Sequence, residues 1–149
     1  MESESEFAAS CLCGIVSHVM KGTPVVIVVC HCTTCQKHCG GPFLHTAAWL
    51  AVNVHLKTGD EDDIICHEYT DQLVRQSCKH CGGAVRNVVP ACSMIGFHIP
   101  TIKDAYAGNT YKPVFKPQCH LFYGSRVIDV KDGAPKMVKK TPEDGMLAE

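Results

Sequence analysis

The stretch Pro24-Val-Val-Ile-Val-Val-Cys30-His31-Cys32-Thr-Thr-Cys35 runs a β-branched segment directly into three closely spaced cysteines. Its length and composition favour a strand over a helix, because branched side chains pack well on a pleated surface and lose rotamer freedom in a helix. The strand end therefore delivers three thiols to one turn. Thr33 to His38 is long enough for a single helical turn, and Gly40-Gly41 follows it, able to take the positive φ that a tight reversal needs. Outward from this stretch lie further short apolar or alternating runs, at 46–56, 64–69, 84–89, 93–99 and 119–123, punctuated by Gly, Pro, Asn and Asp. That pattern predicts an all-β fold of packed antiparallel sheets. The segment 100–117, rich in Gly, Pro and Tyr, reads as a long excursion. Residues 1–9 read as a flexible polar arm, 10–137 as one folded domain, and 138–149 as a flexible charged tail.

Two more cysteine clusters flank the central one: Cys11-Leu-Cys13-Gly14 and Cys78-Lys-His-Cys81-Gly82-Gly83. A structural zinc needs four protein ligands in a closed tetrahedron, whereas a catalytic zinc keeps one position free. Pairing Cys11 and Cys13 with Cys78 and Cys81 closes a sulfur tetrahedron that staples an N-terminal hairpin to a second knuckle. Cys30, Cys32 and Cys35 then form a second site with no fourth cysteine at knuckle spacing, and it stays open. Two zinc ions of different function are expected.

The chain has 149 residues and a net charge of -1, with 14 Lys and Arg against 15 Asp and Glu. There is no electrostatic footprint for nucleic acid or an anionic membrane. Met1 to Glu6 is acidic where a presequence is basic, and no apolar run approaches membrane-spanning length, so a cytoplasmic protein is expected. A reducing compartment favours metal sites over a disulfide framework, and the odd count of 11 cysteines agrees. Cys39, Cys66, Cys92 and Cys119 remain as core residues or possible pairs, with Cys39 nearest the open site in sequence.

The ordered set Cys11-Leu-Cys13-Gly14, Cys30-His-Cys32-Thr-Thr-Cys35-Gln-Lys37, Gly40-Gly41-Pro-Phe43, Cys78-Lys-His-Cys81-Gly82, His120-Leu-Phe-Tyr-Gly and Asp132-Gly-Ala-Pro135 resembles the glutathione-dependent formaldehyde-activating enzyme family, which includes the centromere protein V domain. The resemblance spans about residues 10–137. It implies an all-β fold shared with a small zinc-containing chaperone of Rab GTPases, a structural zinc on Cys11, Cys13, Cys78 and Cys81, and a catalytic zinc on Cys30, Cys32 and Cys35. It also implies a carbon-sulfur lyase joining glutathione and formaldehyde reversibly as S-hydroxymethylglutathione. The chain departs from the usual pattern in Gly82-Gly83, where many relatives have Gly then Ser or Thr, and in its extra cysteines.

Lys37, Gly40, Gly41, Phe43 and His120 are the candidate substrate-binding residues, Lys37 because it follows Cys35 by two and carries the cation a peptide carboxylate needs. Lys79, Arg75 and Arg86 are further cations near the knuckles. His31, His38 and His80 are either ligands, donors to sulfur, or solvent-facing side chains. Phe43, Trp49 and Tyr69 are core or pocket wall. The competing expectation is a zinc-stabilised protein-binding module without activity. The missing fourth ligand and the lack of a long basic extension weigh against it.

Overall fold

A computed structural model describes residues 4–70 and 72–149. The described chain is mostly strand, with one α-helix, Thr33–Cys39, and falls into two compact units. One is made of the described residues up to Val25 with Ala47–Phe115, and the other of Val26–Thr46 with Lys116–Glu149. The strand Leu44–Leu50 carries the chain from the second unit into the first.

In the first unit, Glu6–Ser10, Ser17–Lys21 and Val54–Thr58 form an antiparallel sheet in which the middle strand is Ser17–Lys21. Ile64–Thr70, Leu73–Cys78, Ala84–Val89 and Met94–His98 follow as an antiparallel meander. The expected run at 46–56 is broken by a 3-10 turn at Ala51–Asn53, anchored where Ala51 N donates to Ser93 O at 2.8 Å. Phe7, Trp49, Phe97 and Phe115 form the aromatic core, with Phe7 tilted against Trp49 at 5.6 Å and edge-on to Phe115 at 5.5 Å. Trp49 Nε1 donates to Gly22 O at 2.8 Å, so the indole is buried without an orphaned donor. Tyr69, by contrast, is 58% exposed and belongs to neither core nor pocket.

The expected arm is corrected here. Glu6–Ser10 is a paired strand, because Phe7 and Ala9 alternate into the core and Lys103 N caps Ala8 O at 2.8 Å. Residues 1–3 lie outside the described residues.

In the second unit, Val26–Cys30 pairs parallel with Cys119–Leu121, which pairs parallel with Lys136–Met137. The packed sheets are antiparallel through the hairpins, as expected, and mixed at this point. Parallel neighbours need a long crossover, and residues 31–118 supply it, a separation the local pattern does not reveal. Met146–Leu147 pairs with Lys136–Met137, and Glu149 accepts from Gly133 N at 2.6 Å, so the expected tail is partly built into the sheet.

A buried polar group in the first unit sets a pH limit. His18, 1% exposed, accepts at Nε2 from Arg86 Nη1 at 2.8 Å, and Arg86 also holds Gln76 and the Glu61 carboxylate. Arginine only donates, so His18 must be neutral. Burial, then the Arg86 charge, depress its pKa to about 4 from 6.5, opposed weakly by Glu61. The folded pKa lies below the unfolded one, so between them the unfolded chain binds the extra proton; stability is full above pH 6.5 and falls toward pH 4. The His18→Gln variant, whose amide oxygen still accepts from Arg86, is expected to lose on the order of 3 kcal/mol less stability than wild type across that interval. Urea denaturation at pH 7 and pH 4.5 measures it, and equal slopes for the two proteins would rule His18 out.

Candidate metal centres

Two hairpin turns of the first unit bring four sulfurs together. Cys11 follows Glu6–Ser10 in a turn closed by Cys11 N to Val16 O at 3.0 Å, and Cys78 ends Leu73–Cys78 in a turn closed by Cys78 N to Gly83 O at 2.9 Å. The sulfurs of Cys11, Cys13, Cys78 and Cys81 all lie within 4.8 Å of one another. Cys11 to Cys13 is 3.6 Å and Cys13 to Cys78 is 3.8 Å, against about 3.8 Å along the edge of a tetrahedron with zinc-sulfur bonds of about 2.3 Å. Backbone N–H groups point at three of them: Val16 at Cys11, His80 at Cys78 and Gly83 at Cys81, each 3.4 Å away. Such donors favour the thiolate. The cluster sits on Val16, Ile64 and Val85, all buried.

The glycines after Cys81 act in two different ways. Gly82 has φ +71, which strains any other residue, whereas a Cβ on Gly83 meets Cys81 Sγ, Leu12 Cβ and Leu12 N, each at 3.3 Å. Gly83→Val is therefore expected to destabilise the protein by about 1–3 kcal/mol through crowding of the knuckle. An unchanged denaturation midpoint would show that the turn has room.

The second cluster belongs to the second unit. Cys30 ends Val26–Cys30, Cys32 is the N-cap of Thr33–Cys39, and Cys35 lies buried in the helix. Cys32 Sγ accepts from Cys35 N at 3.3 Å, so one sulfur caps the helix that positions another. The helix stops at Gly40, φ +66, whose N–H returns to Gln36 O at 2.9 Å. The three sulfurs converge within 4.8 Å, Cys30 and Cys32 at 3.3 Å, and no further Cys, His, Asp or Glu joins them among the described residues.

Electrostatics says what both clusters lack. The Cys35 thiol, then burial, drive the Cys30 pKa far upward. Backbone contact with Ile15 lowers Cys13, but burial and the neighbouring thiols prevail and push it up to about 11, while N–H contacts from Cys13 and Gly83 bring Cys81 down to about 6. Sulfurs this close cannot all ionise beside one another unless a cation shares them. Both donor sets fit a thiophilic metal such as zinc, one closed and one open.

The remaining candidates separate cleanly. Lys37 and His38 are exposed in the last turn of the helix, Gly41 and Phe43 are half-buried, and Phe43 packs on His31 at 5.4 Å. Lys79 is exposed, Arg75 is buried, and Arg86 is committed to His18, Gln76 and Glu61. His80 Nε2 bonds Asp63 Oδ1 at 2.7 Å, away from the sulfurs of its own turn. All 11 cysteines are free; Cys39, Cys66 and Cys92 are exposed, so the core assignment fails for them, and Cys39 Sγ donates to Phe43 O at 3.4 Å instead of joining the cluster. A depression of about 680 Å³ in the first unit, with Lys57 and Lys103 on its wall, lies beside Cys11 rather than the open cluster.

His120, expected as a substrate contact, lies buried. It is 1% exposed with both ring nitrogens engaged, Nδ1 to His31 Nε2 at 2.8 Å and Nε2 to Asp132 Oδ2 at 2.7 Å. Asp132 Oδ1 accepts from Lys136 Nζ at 2.7 Å, and that buried ammonium also reaches Ala134 O and Glu149. Burial works against the Asp132 carboxylate, but the bonds from Lys136 and His120 win and hold its pKa at about 2. Nothing local in the sequence marks Asp132 and Lys136 as a set: His120 and Asp132-Gly-Ala-Pro stand out as motifs, but their meeting does not.

A protein-family model described as glutathione-dependent formaldehyde-activating enzyme matches residues 6–125, more than half of the chain. The chain belongs to this family. No curated protein matches it. Among solved structures it is similar to a crystal structure of a Rhodobacter sphaeroides protein, with a TM-score of 0.50 and 13% identity over 69% of this chain and 96% of the other. That likeness extends to the fold alone. Within the formaldehyde-activating family member described here, both thiol clusters fall inside the matched span, whereas Asp132 and Lys136 lie beyond it. No described helix is long and apolar enough to cross a membrane.

Proposed function

We propose that this chain is a zinc-dependent carbon-sulfur lyase acting on glutathione or a glutathione adduct such as S-hydroxymethylglutathione. The observation that carries the proposal is the contrast between four converged sulfurs in one unit and three in the other. Cys11, Cys13, Cys78 and Cys81 are read as holding a structural zinc, and Cys30, Cys32 and Cys35 as holding the catalytic one, two zinc ions in all. Zinc at the three-cysteine site supplies an exchangeable position that favours a substrate thiol in its thiolate form.

The chain's residues account for the preference for sulfur. Three thiolates already outweigh a divalent charge, which weakens Lewis acidity and suits thiolate exchange better than activation of water. The Cys35 N–H on Cys32 steadies that sulfur as the ligand set changes. Lys37, on the exposed side of the helix turn, meets a peptide carboxylate, and Gly40, Gly41 and Phe43 form the adjoining wall. In the synthetic direction the carbon-sulfur bond forms when the thiolate attacks formaldehyde carbon and the oxygen takes a proton; in reverse that bond breaks and the thiolate is the leaving group.

Two measurements test the reading. Metal analysis of the purified chain is expected to find two zinc ions, one released quickly to a mild chelator with the fold retained and one whose loss unfolds the first unit. In the cobalt-substituted protein, glutathione is expected to shift the sulfur-to-cobalt charge-transfer bands, while S-methylglutathione, which cannot ionise, leaves them unaltered. Cys32→Ser is expected to abolish that response in a folded protein, and Cys13→Ser to unfold it. Identical spectra with and without saturating glutathione would favour the protein-binding module instead.

A further inference from the structure

His31 stands between two of the three open-site sulfurs, and it is tied down at three of its four polar groups. Its backbone N–H donates to Leu121 O at 2.9 Å, its carbonyl accepts from Gln36 Nε2 at 2.7 Å, and its Nε2 bonds His120 Nδ1. Gln36 Nε2 also reaches Ser125 O at 3.1 Å, so the amide bridges the ligand turn to a second segment. Behind His120, the bonds run on through Asp132 to Lys136, both members of a charge pair that is 1% exposed on the lysine side. Charge fixes the direction of this chain: Lys136 only donates, the ionised Asp132 only accepts, and His120 therefore donates from Nε2. The arrangement that adds no further buried charge has His120 Nδ1 accepting from His31 Nε2–H. His31 Nδ1 is then a buried lone pair with no partner among the described residues.

So many anchors on one residue need a reason. His31 is buried between the half-buried Cys30 and Cys32 and turns its ring nitrogen to His120, so this imidazole is not part of the sulfur cluster. It is the handle by which the cluster is held. A four-ligand site keeps its shape through its own bonds, but a site that gives up a ligand at every exchange is left with three anionic sulfurs that repel one another. Something other than the metal has to keep the turn from opening.

Resting on the open-site reading above, we propose that His120, Asp132 and Lys136, with Gln36 on the backbone side, are positioning residues that clamp His31 and so keep Cys30 and Cys32 converged while the fourth position exchanges. None of them touches substrate or metal. Their effect is local to the second unit and absent from the four-cysteine site.

The test uses the intact chain loaded with two cobalt ions, reading release from each site to a chelator by its own ligand-field bands, with the four-cysteine site as internal standard. Asp132→Asn and His120→Leu are expected to speed release from the three-cysteine site about tenfold or more, the range seen when outer partners of metal ligands are removed, and to leave the other site unchanged. Gln36→Ala removes the clamp on the His31 carbonyl from a partly exposed position and is expected to act in the same direction without opening a buried cavity, so it serves if the first two variants do not fold. Folded variants with wild-type release at the three-cysteine site would overturn the clamp while the open site stood. Parallel acceleration at both sites would also overturn it, by showing general loosening. Wild-type protein that takes up only one cobalt would instead remove the open-site reading itself.

Discussion

Anionic sulfur cannot be gathered in a protein without a countercharge, and this constraint underlies both halves of the molecule. Seven of the 11 cysteines lie in two clusters whose sulfurs are within 4.8 Å of one another. Left to themselves they resist ionising together, as the upward shifts at Cys13 and Cys30 express. Turns with aimed N–H groups offset part of that repulsion, and a divalent cation, which both donor sets fit, would offset the rest. The hairpins of the first unit and the strand-to-helix turn of the second are shaped by this requirement: positive-φ glycines at Gly82 and Gly40 let the backbone close around sulfur rather than around a hydrophobic side chain.

The two clusters meet the constraint differently. In the first unit the ligands come from turns far apart in sequence, so a bound metal joins two hairpins and its binding energy is folding energy. In the second, all three ligands come from one short segment whose position is set by hydrogen bonds to Leu121, Gln36 and His120. The second unit thus places buried polar groups, which are hazardous unless satisfied, behind the cluster that no fourth Cys, His, Asp or Glu joins among the described residues. Lys136 and Asp132 are both stabilised in their charged forms by one another despite burial. Their placement gives a polar backing to the turn that carries the three sulfurs.

Family membership and geometry bear on different parts of the functional question. The matched span ties the chain to glutathione-dependent formaldehyde activation as a family. The count and convergence of sulfurs speak to chemistry. Fold likeness to a solved structure at 13% identity speaks to architecture only.

By itself the sequence determined what depends on local order: a strand read at 24–29 and found at Val26–Cys30, a helical turn read at 33–38 and found at Thr33–Cys39, the strand at Ala84–Val89, and the division of cysteines into four and three. Cysteine spacing survives folding because a knuckle is a local turn, and β-branched runs declare strands by steric preference. Tertiary structure alone decided what depends on distant partners. The parallel pairing of Cys119–Leu121 with Val26–Cys30 brings His120 to His31 across 89 residues. The same topology turns His120 from an apparent pocket residue into a buried link, recruits Asp132 and Lys136, and makes a strand of Glu6–Ser10 in what reads as a polar arm. A histidine's role is set by what meets its two nitrogens, and neither partner of His120 is a neighbour in sequence.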